Sequence, residues 1–531
     1  MQVLKEVLTH HNDTEHESRQ VFEAVFEKID VDGRLKHELV DQFKTVIAEK
    51  PAKLVEQLGS QLARTVERTW NHFNLREQSE LLQLLLLYTH QTGDCLPADW
   101  SRLCNMFSSH QFCTGRQAAA ARAGEVGSEQ LAATVGQLEA ALLVQLLDLS
   151  RSASATLFQT LADLKVLSSL WCVSHDSLAP RATSNKKGDT AEDPELAKAV
   201  TGLGELAAHH PAMLAWMLVQ FMWRGGTGLT PSTQRLGELA LAGGVLQYLL
   251  ATLQSPACSG HTLLGDILHS LVYGLLAALV QVGIGDCVGG YNTTLLVQAF
   301  DPTGMGLALD THRLVVKILS HRLIAQHFWK DPCGLKVYYD EVRARFPLEQ
   351  APFLEVVTGL ASASSSSCQQ LVPALSSLPG YCAALDTVPG TAQAVPGGLE
   401  LTATWYPYPA TQSVAVPAGV VGVVAGGLVT FPCAQSGWQL LLAEVGHLAS
   451  QLERGAAAVQ PDWIARAARA AELVAAVLTV EPGLGPQLGH ITMALLATTD
   501  RQTAITNLYR LLRFVPCRNN TFEKRCLEKS V

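Results

Sequence analysis

The side chains best suited to chemistry in this chain are its cysteines, a histidine-rich segment near the N-terminus and a few glycine clusters. Twelve cysteines are scattered through the sequence, and no Cys-x-x-Cys pair occurs among them. Cys95, Cys104 and Cys113 sit nine residues apart, a spacing that suits neither a zinc knuckle nor a dense disulfide framework. Reduced thiols in a nucleus or cytoplasm are the simpler reading. His10, His11 and His16 carry metal-ligand chemistry, but their setting reads as a solvated loop between helices. Asp30-Val31-Asp32-Gly33 looks like the start of a calcium loop, yet the ligand spacing does not continue. It reads as a turn and helix stop. Gly283-Ile284-Gly285 followed by Gly289-Gly290 has the look of a dinucleotide loop, but no glycine falls at the third fingerprint position and the preceding residues are helix-like. No Walker loop, Gly-x-Ser-x-Gly elbow or His-Glu-x-x-His helix is present. No catalytic, cofactor-binding or metal-binding residue is therefore assigned, and no cofactor and no enzyme activity are expected.

The elements that would position any site are built from a Leu/Ala/Val-rich chain. Of 531 residues, 48% are hydrophobic, 16% charged and only 6% aromatic. Length alone suggests about three or four domains at roughly 150 residues each, unless a continuous helical repeat removes the need for separate cores. Lys+Arg 39 against Asp+Glu 48 gives a net charge of -9, with no basic patch of the kind a nucleic-acid binder shows. No nucleic-acid partner is expected. Val3 to Leu8 is interrupted by Lys5 and Glu6, so the N-terminus is not a signal peptide, and the Asn-x-Thr triplets at Asn12, Asn292 and Asn519 read as chance.

The stretch Leu75 to Tyr88 organises the rest. Glu77 and Glu80 would suit the first turn of a helix. From Leu81 onward only Gln83 interrupts the apolar residues. Such a helix must lie between other helices, and it is too short for a membrane span of about 20 residues. Before it, Val21, Val25, Phe26 and Ile29 mark one helical face, and Leu39, Phe43, Val46 and Ile47 mark another. Ala118 to Leu149 reads as helix broken near Gly124–Gly127. A polar stretch at about 180–195 reads as a mobile loop, and Pro211 opens a helix carrying Met213, Leu214, Trp216, Met217 and Leu218. Leu271 to Ile284, the most apolar run, reads as a buried helix and not as a membrane segment.

After a flexible serine run at Ser362–Ser367 the period changes to two. Leu399, Leu401, Ala403 and Trp405 alternate with polar residues, and Val414 and Val416 continue the alternation. Val420–Val424 and Leu428–Phe431 flank Gly426-Gly427, a two-residue hairpin signal. Trp438, Leu440 and Leu442 are read as a last strand. Helical periodicity returns at Trp463–Val480 and Ile491–Phe514. The expected architecture is an all-α superhelical solenoid of stacked antiparallel helix pairs, of the HEAT or armadillo type. It runs over residues 1–384, is interrupted by a small β-barrel at 385–447, resumes at 448–515, and ends in an atypical polar tail at 516–531.

A family resemblance adds to this reading. It is carried by Leu75-Arg76-Glu77-Gln78-Ser79 with its leucine run, Met106-Phe107, Phe112 with Arg116-Gln117, and His209-His210-Pro211 with Leu214-Ala215-Trp216. Val272–Leu276, Phe328-Trp329, Gly334-Leu335, Asp340 and Phe346-Pro347 continue it. Val416-Pro417-Ala418-Gly419-Val420-Val421-Gly422-Val423-Val424, Trp438 and Glu444 complete it. In their order these residues resemble the nucleoporin 188 family, large scaffold proteins of the nuclear pore's inner ring. The resemblance implies that the barrel is Src-homology-3-like and that the chain lacks both ends of the family's solenoid. It implies a structural scaffold supporting protein import and RNA export at the nuclear envelope, without a direct membrane span. Other inner-ring nucleoporins are the implied partners, the linker nucleoporin through the C-terminal part that is lacking, with transport receptors as further partners. A soluble helical-repeat nuclear transport receptor or adaptor is the alternative, and the embedded barrel argues against it. Beyond Trp405, Tyr406, Tyr408 and Trp438 the barrel offers no aromatic groove for a peptide, and packing onto the neighbouring helices is the simpler reading. The purified protein is expected to carry no stoichiometric zinc by elemental analysis, and one zinc per chain would overturn the reading of the cysteines.

Overall fold

The computed structural model describes residues 2–10, 16–30, 33–48, 60–92, 97–114, 121, 126–147, 207–223, 231–255, 258, 262–289, 305–330, 335–408, 414–425, 427–453 and 461–484. The expected loop at 180–195, the helix at Ile491–Phe514 and the polar tail lie outside them, as do His11 and Cys95. The chain divides into two compact units, Met1–Ile318 with Asp331–Leu335, and Leu319–Lys330 with Lys336–Val531.

The first unit is helical throughout its described residues. It opens with α1 (Gln2–His10), α2 (Arg19–Ile29), α3 (Arg34–Ala48), α4 (Ser60–Thr92), α5 (Pro97–Ser109) and α6 (Ser128–Leu147). It continues with α7 (His210–Trp223), α8 (Pro231–Ala242), α9 (Val245–Gln254), α10 (Leu263–Gly289) and α11 (Met305–Leu319). Neither glycine nor proline interrupts the 33 residues of α4. Leu75 to Tyr88 is thus its C-terminal half and not a separate helix. Glu77 and Glu80 stand mid-helix, where Glu80 pairs with Arg76 at 3.1 Å and no dipole end is available. Leu81, Leu82, Leu84, Leu85, Leu86 and Leu87 are all buried, enclosed by α3, α6 and α10.

Polar side chains buried against this helix are spent on connections. Asn74 Nδ2 donates to the Val46 carbonyl near the end of α3 (2.8 Å), and Gln78 Nε2 donates to Asn74 Oδ1 (2.6 Å). Asp30 accepts from the Leu35 backbone N–H at the start of α3 and from the Tyr88 hydroxyl (3.1 and 2.9 Å). The carboxylate read as a helix stop therefore also caps the next helix. The apolar face of α2 is only half covered: Phe26 packs against Tyr88 (6.4 Å), whereas Val21 and Ile29 are 62% and 41% exposed. His10 and His16 stack on each other (4.3 Å) and against Phe22.

Among the described residues α6 is long and apolar enough to cross a membrane, and 72% of that stretch is buried within the protein. The described side chains of Leu271–Ile284 are likewise packed inside, with Val272, Tyr273, Leu275 and Leu276 buried. Gly283, Gly285 and Gly289 fall within α10, so they form no loop.

The second unit contains α12 (Arg322–Phe328), α13 (Leu335–Ala344), α14 (Gln350–Ala363) and α15 (Ser365–Ser376), then a sheet, then α16 (Gly437–Glu453) and α17 (Pro461–Val480). Ser362–Ser367 is no flexible connector. It is the junction of α14 and α15, where the Ser364 hydroxyl accepts from the Ser367 backbone N–H (3.2 Å) and Ser367 is buried.

The sheet comprises β1 (Tyr381–Ala384), β2 (Ala392–Val395), β3 (Gly398–Leu401), β4 (Val421–Ala425) and β5 (Leu428–Phe431), in the order β1-β5-β4-β3-β2. All pairings are antiparallel. Ala425 pairs with Leu428, so the expected two-residue hairpin forms, with Gly427 at φ +80. The expected barrel is not closed. β1 does not meet β2, because its free edge is taken by Phe346-Pro347, whose Phe346 carbonyl accepts from the Cys382 N–H (3.2 Å). Trp438, Leu440 and Leu442 form no strand, since they lie in α16.

Leu85 and Trp216, at 1% and 3% exposure, are core residues of the first unit. Leu85→Ala and Trp216→Ala are each expected to lower its unfolding free energy by about 2–5 kcal/mol in urea titrations. Near-neutral values for both would contradict the packing described.

Candidate functional site

The residues that the sequence marks as a possible groove lie around the sheet, and the structure separates them. Trp438 is buried, with Nε1 donating to the Val372 carbonyl of α15 (3.1 Å). Tyr408 is buried as well. Trp405 packs edge-on to Tyr381 and Phe431 (5.6 and 6.1 Å) and bridges to Val416 through two backbone hydrogen bonds. Only Tyr406 is well exposed, at 43%. The four rings therefore serve mainly as internal packing and make no common open groove.

One of them, Tyr408, meets a buried carboxylate. Glu444 lies on α16 among apolar residues, and its side chain is 1% exposed. Its Oε1 accepts from the Tyr408 hydroxyl (3.0 Å) and from Arg466 Nη1 of α17 (3.3 Å). Its Oε2 accepts from Gln350 Nε2 at the start of α14. Arg466 also donates to the Leu348 carbonyl (3.2 Å) and lies over the Trp463 ring (5.4 Å). One carboxylate thus ties three helices to the connection between β3 and β4.

Burial pushes the Glu444 carboxyl up to about 7, and Arg466, Tyr408 and Gln350 only partly pull it back. The buried Gln350 Oε1 has no hydrogen-bond partner. Rotating that amide would present Oε1 to a protonated Glu444, so the cluster can accommodate either protonation state.

The first unit holds a second buried carboxylate. His110 Nδ1 lies 2.7 Å from Glu139 Oε1, and the Glu139 side chain is fully enclosed. Burial raises the Glu139 carboxyl above its ordinary range despite His110. The next three residues, Gln111, Phe112 and Cys113, all have positive φ (55, 47 and 54), a strained left-handed turn for side chains of this size. Gly136 of α6 permits it, because a Cβ there would strike the Phe112 carbonyl.

The described free cysteines are all buried, and burial pushes the thiols of Cys104, Cys258 and Cys368 up to about 11, away from the reactive thiolate. Among the described residues no group of three or more His, Cys, Asp or Glu side chains is placed to hold a metal. The arrangements can position helices. The signal for both in the sequence is a lone acid within an apolar helix, Leu441-Leu442-Ala443-Glu444 and Gln137-Leu138-Glu139-Ala140. The partners come from far along the chain and carry no such signal.

The folded value of Glu444 exceeds its ordinary 4.5, so its contribution to stability is fully present below 4.5 and lost as pH rises through about 7. Glu444→Gln is expected to remove this component, a difference on the order of 3 kcal/mol in the pH dependence of urea unfolding. Superimposable pH profiles for both proteins would show that the carboxyl is not its source.

No family model matches the chain. Nucleoporin NUP188 of Mus musculus is 23% identical over 368 residues, 68% of this chain and 18% of that protein. NUP188 of Xenopus tropicalis is 22% identical over 362 residues, again 68% and 18%. NUP188 of Homo sapiens is 22% identical over 460 residues, 83% of this chain and 23% of that protein. The chain therefore spans roughly a fifth of the length of the curated relatives it matches. Together, the three alignments support the nucleoporin 188 family for this chain, at low identity.

Proposed function

We propose that this chain is a structural, non-catalytic scaffold component of the nuclear pore complex, residing at the nuclear envelope. The observation that carries the reading is its similarity to three nucleoporins over 68–83% of its length. The stacked helices agree with it, because a scaffold works through extended shape and surface. At finer grain, we place the chain in the inner ring, supporting protein import and RNA export. Its partners there are other inner-ring nucleoporins, including the linker nucleoporin, and transport receptors.

The sheet fits this reading as the counterpart of a Src-homology-3-like insertion. β2 to β5 form a meander and β1 returns against β5, the neighbour order of a small barrel opened between β1 and β2. A sheet this small has little apolar area of its own and leans on its helices. In this role it sets the geometry of the helical stack where it is inserted.

A fluorescently tagged version is expected to give a nuclear-rim pattern. A diffuse, shuttling pool would instead favour a soluble transport receptor. Deleting Tyr381–Phe431 and bridging the gap with a flexible linker should loosen α14 and α17 without removing them. Hydrogen exchange reads this directly. Unchanged protection in both helices would make the sheet an independent appendage.

A further inference from the structure

Three aromatic rings in the second unit stand at steep angles to one another. Phe328 and Trp329 meet at 77° (5.2 Å), Phe328 and Tyr339 at 72° (5.5 Å), and Trp329 and Tyr339 at 70° (6.2 Å). Lys336, in the first turn of α13, lays its ammonium over all three, at 5.1, 5.0 and 4.7 Å from the ring centres. Phe328 and Tyr339 are almost wholly buried beneath it, at 1% and 0% exposure. Lys336 and Trp329 remain partly exposed, so the lysine covers the mouth of the cage.

The fit of this ammonium is incomplete. A lysine carries three N–H donors, yet among the described residues no hydrogen-bond acceptor or ion-pair partner reaches Lys336 Nζ. The carboxylate that acts on it, Asp340, is engaged by Arg343 Nη2 at 3.0 Å. The Tyr339 hydroxyl is buried and also has no partner. Consistent with this, burial lowers the Lys336 amine below its ordinary range, more than Asp340 restores it. A cage of π faces that offers no acceptor is better matched to a cation with no N–H to satisfy. Methylation supplies that: it keeps the charge, removes the donors and adds apolar contact with the rings.

We propose that Phe328, Trp329 and Tyr339 form a binding site for a methylated lysine side chain, which Lys336 of this chain occupies as a resident, displaceable plug. The occupant seen in the structure specifies the ligand, an alkylammonium on an unbranched chain. Because Lys336 is tethered to the site, the apparent affinity for any incoming ligand is the intrinsic affinity multiplied by the fraction of time Lys336 leaves the cage open.

The probe is N-acetyl-trimethyllysine amide, with the unmethylated amide as control, titrated by calorimetry into the full chain. Lys336→Ala should bind the trimethylated probe at least tenfold more tightly than the unmodified protein does, and at least tenfold more tightly than it binds the control. Adding Trp329→Ala should abolish that gain. A folded Lys336→Ala protein that binds neither probe, or both equally, would overturn the proposal. A measurement on the unsubstituted chain does not depend on how the variant folds. Reductive dimethylation of its lysines with 13C-formaldehyde should give one methyl resonance strongly shifted upfield by the rings, moving to the ordinary position as tetramethylammonium is added. Absence of a shifted resonance, or one that the cation cannot displace, would equally overturn it.

Discussion

Six leucines between Leu81 and Leu87, interrupted only by Gln83, leave this part of α4 almost no side that water can face. At about 1.5–3 kcal/mol for each leucine buried, the stretch can persist only inside other helices. The first unit meets that demand by surrounding α4 with α3, α6 and α10. α6 and α7 extend the pattern, since Leu142, Leu143, Leu214 and Leu218 are as fully enclosed. Large aromatics are few, so the interior is filled mainly by Leu, Ala and Val, which pack helix against helix without presenting polar handles.

In such an interior each polar group must be matched or it becomes a liability. Asn74 and Gln78 link α4 to α3, Asp30 caps α3 while holding Tyr88, and His110 meets Glu139. In the second unit Glu444 gathers Tyr408, Arg466 and Gln350. Buried ion pairs add little net stability over well-packed apolar residues, but breaking one by removing a single partner is costly. Their consequence here is placement: these bonds form only when the helices that carry the partners lie in this arrangement. That suits a protein whose surface and shape would be the working part.

The sheet illustrates how the two effects combine. Its inner side carries Val429, Phe431 and Leu401, all fully buried, whereas Val423 on the opposite side is 61% exposed. The strands are too short to enclose a core of their own. The chain on either side therefore supplies what closure would have supplied, with Phe346 pairing along the free edge of β1 and Trp438 anchoring α16 to α15.

By itself the sequence determined the helical class, the enclosure of Leu81–Leu87 and Trp216, and the Ala425–Leu428 hairpin. Each of these is a local consequence of side-chain periodicity or turn chemistry, which reads directly along the chain. Glu444 entered only as one residue of the family resemblance, and nothing in the sequence marked the partners that gather around it. The tertiary structure decided everything that depends on who comes to lie beside whom. Uninterrupted α4 absorbed Glu77 and Glu80 into its middle, because neither glycine nor proline breaks the helix between Ser60 and Thr92. Of the face that Val21 begins, only Phe26 found a ring to pack on, in Tyr88, and Val21 and Ile29 stayed open. Ser364 became a cap and not a hinge once α15 began at its side. The sheet stayed open because Phe346 reached β1 where β2 did not. Lys336 came to rest on three rings from two helices, a meeting that no periodicity announces. Contacts of this kind are set by the packing of separate segments, and a pattern along one segment cannot specify them.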